Sequence, residues 1–246
     1  MVYGIGPLAN ITPQPMRIFI GENAKTWDSA SNKLAKQLEE AGVSARDIWS
    51  KTGNWKAPDG KWRQEIPDNL AEFRTTFDAS LPSKANNYIG GLEGAIGGMY
   101  RHDPLYQAYP ELLTTDRMTV KKLPDWLPDS ANTGEYKRTI GGKGYLELRN
   151  KTEQGALDTA AHELQHGVQY REGFPQGAME SQFRDIPNGL TAFEQYQRQM
   201  GEAEARAVAA RRQLTPEQRR MLFPEDSYDM PLSDLLYKDP TGRTIK

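Results

Sequence analysis

Three residues in the stretch DTAAHELQHGVQY, Asp158 to Tyr170, are of the kinds that hold a metal ion and move a proton: His162, Glu163 and His166. Each residue of an α-helix advances by about 100°, so histidines four apart lie about 40° apart and project from one side. A hydrolytic zinc site takes three protein ligands and leaves a position for water, and histidines one turn apart supply two of them. Glu163 is offset from the pair, where it can reach the water rather than the ion. There it can take a proton and pass it to a leaving group. This is the logic of an H-E-x-x-H spacing on a helix. The opposite face carries Leu157, Ala160, Ala161, Leu164 and Val168. The helix is therefore expected to bury that stripe and present its histidines.

The chain has three histidines and no cysteine. A third ligand must then be His102 or a carboxylate. The segment YQRQMGEAEARAVAARR, Tyr196 to Arg212, offers two glutamates. On a helix over about 192–212, Glu204 falls near the centre of the face formed by Phe193, Tyr196, Met200, Ala203 and Ala207. A carboxylate on an apolar face needs a charged partner, which could be a metal or Arg211 seven residues on. Glu202 diverges from Glu204 by about 200° and lies with Arg198 and Arg206, as in a surface ion pair. Glu204 is the expected third ligand and Glu202 the alternative, on the assumption that the helix is unbroken across Gly201.

The elements that must position these residues follow from the pattern. Met16 to Ile20 reads as a strand. Helical spacing runs from Ala24 to Ala41, Ser44 caps a short second helix, and NWKAPDGKWRQEI reads as a hairpin turning at Asp59-Gly60. YIGGLEGAIGGMY lacks the Lys-Ser/Thr of a phosphate loop and reads as a flexible segment or a packed helix. Asp103-Pro104 should open a short helix, with Asp103 as its cap. Met118 to Leu123 and Tyr145 to Arg149 read as strands, the second in a hairpin turning at Gly141-Gly142. The two long helices follow, then a capping box at TPEQ, Thr215 to Gln218, and a polar C-terminal segment. Helices and a hairpin, then strands, then helices imply an α+β fold rather than an alternating parallel sheet.

Composition sets the outer limits. With 246 residues the chain can bury a real core. No run approaches the roughly 20 apolar residues of a membrane span, and the N-terminus lacks a secretion-signal pattern, so a soluble, cytoplasmic protein is expected. The net charge of −2 gives no general attraction to nucleic acid. The arginines 206, 211, 212, 219 and 220 read as a solvated helix face.

The HELQH helix followed by GEAEAR resembles the Glu-ligated zincin metallopeptidases. It is more specifically similar to the zincin-like domains of large polyvalent proteins from phages and mobile elements. IFIGENAKTWD, IWSKTGNWKAPDGKWRQEI and HDPLYQAYPEL carry the similarity upstream, over residues 17–231. The resemblance implies a zincin-like fold, Zn²⁺ held by His162, His166 and a glutamate of GEAEAR, and Glu163 as base. It also implies a strand before the HELQH helix that pairs with an extended substrate, a place filled by Tyr145, Leu146 and Glu147. Tyr170 or Tyr145 is available to stabilise an oxyanion. The expected function is a zinc endopeptidase acting on a protein or peptide. The alternative is a non-catalytic virion or DNA-delivery module with a structural zinc, for which His102 could complete four ligands. The expected organisation is an N-terminal helix–helix–hairpin region over 1–80, a catalytic domain over 81–224 and an extended tail over 225–246.

Overall fold

The computed structural model describes residues 16–67, 71–73, 91–128, 130, 133–139, 142–187, 189–212, 214–238 and 244–245. The fold is α+β, with small sheets set against helices. β1 (Met16–Ile20) leads to α1 (Ser29–Glu40), whose first turn is capped by the Asp28 carboxylate accepting from the Ser31 amide. Ser44 caps α2 (Ala45–Thr52) in the same way through Asp47. β2 (Asn54–Lys56) and β3 (Trp62–Pro67) form the anticipated hairpin, and β3 is the centre of a three-stranded sheet in the order β1-β3-β2. Ile18, Phe19, Ile20 and Trp55 of this sheet are buried in the main core.

β4 (Glu72–Phe73) pairs with β6 (Tyr100–Arg101), and β5 (Gly91–Ala95) precedes α3 (Ile96–Met99). From residue 91 the glycine-rich segment is a strand and one helical turn, neither the flexible segment nor the packed helix expected; its first residues, 88–90, lie outside the described ones. α4 (Asp103–Ala108) is capped by His102, not Asp103: the His102 Nδ1 accepts from the Leu105 amide at 3.2 Å. α5 (Pro110–Thr115) follows. β7 (Arg117–Lys122), β8 (Thr133–Arg138) and β9 (Gly144–Asn150) join β5 in a four-stranded sheet of order β5-β7-β9-β8. Only β7 and β9 run parallel.

That order corrects one expectation. The strand holding Tyr145, Leu146 and Glu147 is paired on both sides, Leu146 with Met118 and with Tyr136, so it offers no edge to a substrate. Alternate residues Leu146 and Leu148 are fully buried, as an interior strand requires. The sheet's edges are β5 and β8, and β8, the first arm of the same hairpin, is the one beside β9.

α6 (Glu153–Glu172) lies across β8 and β9 and carries the H-E-x-x-H residues. Thr152 caps it and Gly173, in the left-handed conformation, ends it. Ala160, Ala161, Leu164 and Val168 are buried, as the stripe predicted. The second long helix is not continuous. α7 (Ala192–Gln197) stops, and α8 (Met200–Arg211) starts from an extended Gln199. The main chain at this break bonds to the C-terminal segment instead: Leu236 donates to the Arg198 carbonyl at 2.7 Å, and Met200 donates to the Leu236 carbonyl at 2.9 Å. Helical phase counted from Phe193 therefore does not carry into α8.

α9 (Pro216–Met221) begins with the expected capping box at Thr215. The arginine group is corrected as well. Arg211, Arg212 and Arg219 are buried, bonded to Glu65, to Asp158 and to the carbonyls of Leu214 and Arg211, respectively. The residues after α9 are also more than a tail: Phe223, Tyr228 and Leu235 sit in the core, and β10 (Tyr237–Lys238) pairs with β11 (Thr244–Ile245).

Candidate functional site

His162 and His166 project from α6 with their Nε2 atoms 3.2 Å apart. Glu202 of α8 meets them: its Oε2 lies 3.4 Å from His162 Nε2 and its Oε1 3.5 Å from His166 Nε2. Among the described residues these three form the one group of His, Asp and Glu able to hold a metal. Donors bound tetrahedrally at about 2.0–2.1 Å stand about 3.3 Å from one another, so the spacings fit a small divalent ion. A second observation agrees. Glu202 Oε2 is buried without a hydrogen-bond partner in the protein, an expensive condition for a carboxylate oxygen unless a cation meets it.

Glu204, the expected ligand, is elsewhere. It is buried on the far side of α8, where Oε2 accepts from Arg63 Nε at 3.0 Å and Oε1 accepts from Gln165 at 2.9 Å and Gln169 at 3.1 Å. The charged partner that a carboxylate on this face requires is Arg63 of β3, neither a metal nor Arg211. Glu202, expected in a solvated ion pair, is buried at 2% exposure. The break at Gln199 accounts for the exchange, since it rotates α8 relative to the phase assumed from α7. His102 is not among the converging donors.

The ligand set is held by surrounding groups. Ala178 donates its amide to Glu202 Oε1 at 2.9 Å. Gln169 donates from Nε2 to the Gly201 carbonyl at 2.8 Å and to Glu204, which leaves its Oε1 to accept from His166 Nδ1 at 2.8 Å. His166 is thereby fixed with Nδ1 as the donor and Nε2 turned to the site, the arrangement that orients metal-binding histidines. Gln165, the fourth residue of HELQH, brackets Phe19 of β1: it accepts from the Phe19 amide and donates to its carbonyl, both at 3.1 Å.

Electrostatics follow from this packing. Burial pulls the His166 ring down, but the Glu202 carboxylate beside it outweighs burial and raises it from 6.5 to about 9. Glu202 is desolvated, yet the two imidazoles hold it well below the ordinary carboxylate range. Glu163 moves the other way. Its burial raises its pKa, opposed by the nearby histidines, which suits a base working near neutrality.

A cleft of about 780 Å³ opens over these residues. One wall is the edge strand β8, another the loop 176–182, and Glu163 and Tyr196 face in. Gly134 lets β8 press against α6 beside Glu163: a Cβ there would lie 2.3 Å from Thr159 Cγ2 and 2.8 Å from Glu163 Cγ. The main chain of Tyr136 bonds the Glu163 carboxylate. Asp116 pins the hairpin, accepting from the Tyr136 hydroxyl at 2.5 Å and the Gly144 amide at 2.9 Å.

Of the other residues expected at the site, Tyr170 lines the cleft with its ring under the Arg138 guanidinium, and Glu147 lines it while paired with Lys121 and Arg149. Tyr145 does not; its hydroxyl bonds Thr119. The tyrosine beside the ligands is Tyr196, whose hydroxyl neighbours Glu202 and whose proton is held more tightly by burial and by that carboxylate. No sequence signal marks Tyr196 or Arg63; Gln169 was visible only as a polar residue on the histidine side.

Residues 17–74 match the family model described as Large polyvalent protein associated domain 23. The polyvalent-associated segment takes in IFIGENAKTWD and the tryptophan hairpin, and so supports the polyvalent-protein context. The H-E-x-x-H helix and α8 lie outside it. No curated protein and no solved structure matches the chain. No helix among the described residues is long and apolar enough to cross a membrane.

Proposed function

We propose that the protein is a zinc-dependent endopeptidase with a zincin-like arrangement of edge strand, H-E-x-x-H helix and ligand-bearing second helix. The observation that carries this is the convergence of His162, His166 and Glu202 in an open cleft, with Glu163 on the same rim. Three protein donors with an open side suit a catalytic rather than a structural metal. When bound, a zinc ion would acidify a water and polarise a carbonyl at that place.

The chain's own groups supply the rest. Glu163, buried and raised, accepts a proton from the attacking water at its carboxylate and releases it to the departing amine. Tyr196, which keeps its proton, donates a hydrogen bond to the developing oxyanion. The outer edge of β8, which no described strand covers, receives the substrate as an added strand, so main-chain bonds align the peptide and side-chain contacts choose it.

Metal analysis joined to a cleavage-site screen tests the reading. Purified protein should carry close to one zinc per chain. Glu163→Gln should keep that zinc and lose about 10²–10⁴-fold in peptide cleavage, and Tyr196→Phe should also lower turnover with zinc retained. Undiminished cleavage by Glu163→Gln would refute the assignment.

A further inference from the structure

Three cations line the cleft: Lys137, Arg138 and Arg149. Two are already matched, Lys137 with Glu135 at 2.5 Å and Arg149 with Glu147 at 2.6 Å. Arg138 forms no ion pair with any described carboxylate. Its guanidinium lies 3.5 Å from the centre of the Tyr170 ring, Nη2 donates to the Gly142 carbonyl, and its buried Nε has no hydrogen-bond partner. The side chain is thus held on a platform of α6 with no described carboxylate opposite its charge. A stacked guanidinium keeps its charge, and the ligand that charge suits in a peptide is a carboxylate.

Its place on the strand says where that carboxylate would be. Residues 134, 136 and 138 share the face of β8 toward α6. Gly134 touches Glu163. At about 3.3 Å per residue, Arg138 stands about 13 Å along the strand from Gly134 and about 7 Å from Tyr136, whose main chain bonds Glu163. Elsewhere in the cleft Glu135 and Glu147 already occupy Lys137 and Arg149, and Glu180 adds a negative charge, so no other cation of β8 or β9 is open to an acidic residue.

We infer that Arg138 is a specificity residue that binds a substrate carboxylate a few residues to one side of the scissile bond, so the preferred substrate is an extended peptide with Asp, Glu or its own C-terminus at that position. This rests on the peptidase reading.

The test is cleavage-site profiling of a proteome-derived peptide library by the zinc-loaded wild type, Arg138→Gln and Arg138→Glu. Wild type should enrich a carboxylate at one fixed position. Arg138→Gln should lose the enrichment, with kcat/KM on acidic peptides down about 10- to 100-fold and the change borne by KM. Arg138→Glu should enrich Lys or Arg there instead. Amidated peptides separate the sources: cleavage that survives amidation assigns a side chain, and cleavage lost on amidation assigns the C-terminus. Cleavage with no such preference, or the same preference in Arg138→Glu, overturns the inference and leaves the peptidase reading standing. If nothing is cleaved, the peptidase reading fails, and fluorescence polarisation decides the role of Arg138. An Ala-rich decapeptide with a central Glu and a free C-terminus should bind zinc-loaded Glu163→Gln more tightly than its central-Gln, C-terminally amidated counterpart. Adding Arg138→Gln should remove the difference; equal binding of the two peptides refutes the role.

Discussion

Gln169 joins His166 to Glu204 through one amide, accepting from the imidazole at 2.8 Å and donating to the carboxylate at 3.1 Å. The carboxylate is held in turn by Arg63, so a buried line of four side chains runs from the N-terminal sheet to His166, whose other ring nitrogen faces the proposed metal position. Gln169→Ala should leave the fold intact and weaken zinc binding about 10- to 100-fold. Competition against a chromogenic chelator measures this, and unchanged affinity would remove Gln169 from the supporting set.

The two glutamates of α8 should separate cleanly by experiment. Glu202→Ala should abolish tight zinc binding and, in the metal-free protein, remove the stabilisation shared with His166. Glu204→Ala should leave Arg63 buried beside Asp59 alone and cost about 3 kcal/mol of stability. Urea unfolding of chelator-treated protein reads the second effect and metal titration the first. The reverse pattern would return the ligand role to Glu204.

The raised His166 and lowered Glu202 set a pH dependence with a definite sign. For a raised histidine, stabilisation is full below 6.5 and is lost as pH rises through about 9. For a lowered carboxylate, it is present above 4.5 and lost as pH falls. The metal-free pair therefore contributes most between about pH 4.5 and 6.5. Zinc must displace the His166 proton, so its apparent affinity should climb roughly tenfold per pH unit up to about 9. The Tm gap between zinc-loaded and chelated protein should widen from pH 6 to 9. A constant gap would show that these groups are not the ligands.

Two glycines test the geometry from opposite sides. A Cβ on Gly177 would lie 2.4 Å from Glu202 Oε1 and 2.5 Å from His166 Cε1, so Gly177→Ala should lower zinc affinity. A Cβ on Gly134 would strike Thr159 and Glu163 instead, so Gly134→Ala should retain zinc and lose cleavage. Equal zinc affinity across both variants and wild type would contradict the loop's role in seating Glu202.

What could be read from the sequence was local. The H-E-x-x-H helix, its apolar stripe, the caps at Ser44 and Thr215 and the tryptophan hairpin depend on neighbours within a few residues, and the structure has them. The glutamate choice failed because it depended on Leu236, whose main chain replaces the helical bonds at Arg198 to Met200. The edge strand failed for a related reason: a hairpin does not announce which arm a distant strand will cover, and β7 covers β9. The buried arginines look like any solvated helix face until Glu65 and Asp158 arrive from far along the chain.

The pairing of Arg63 with Glu204, and of Glu65 with Arg211, has a bearing on inheritance. One member of each buried pair lies within residues 17–74 and the other more than a hundred positions later. A recombination event that exchanged the first segment alone would leave Glu204 and Arg211 as lone charges in the core unless the incoming segment brought an arginine and a glutamate to the same register. Each half thus restricts which versions of the other it can be recombined with. Relatives should therefore change residues 63 and 204, or 65 and 211, together or not at all.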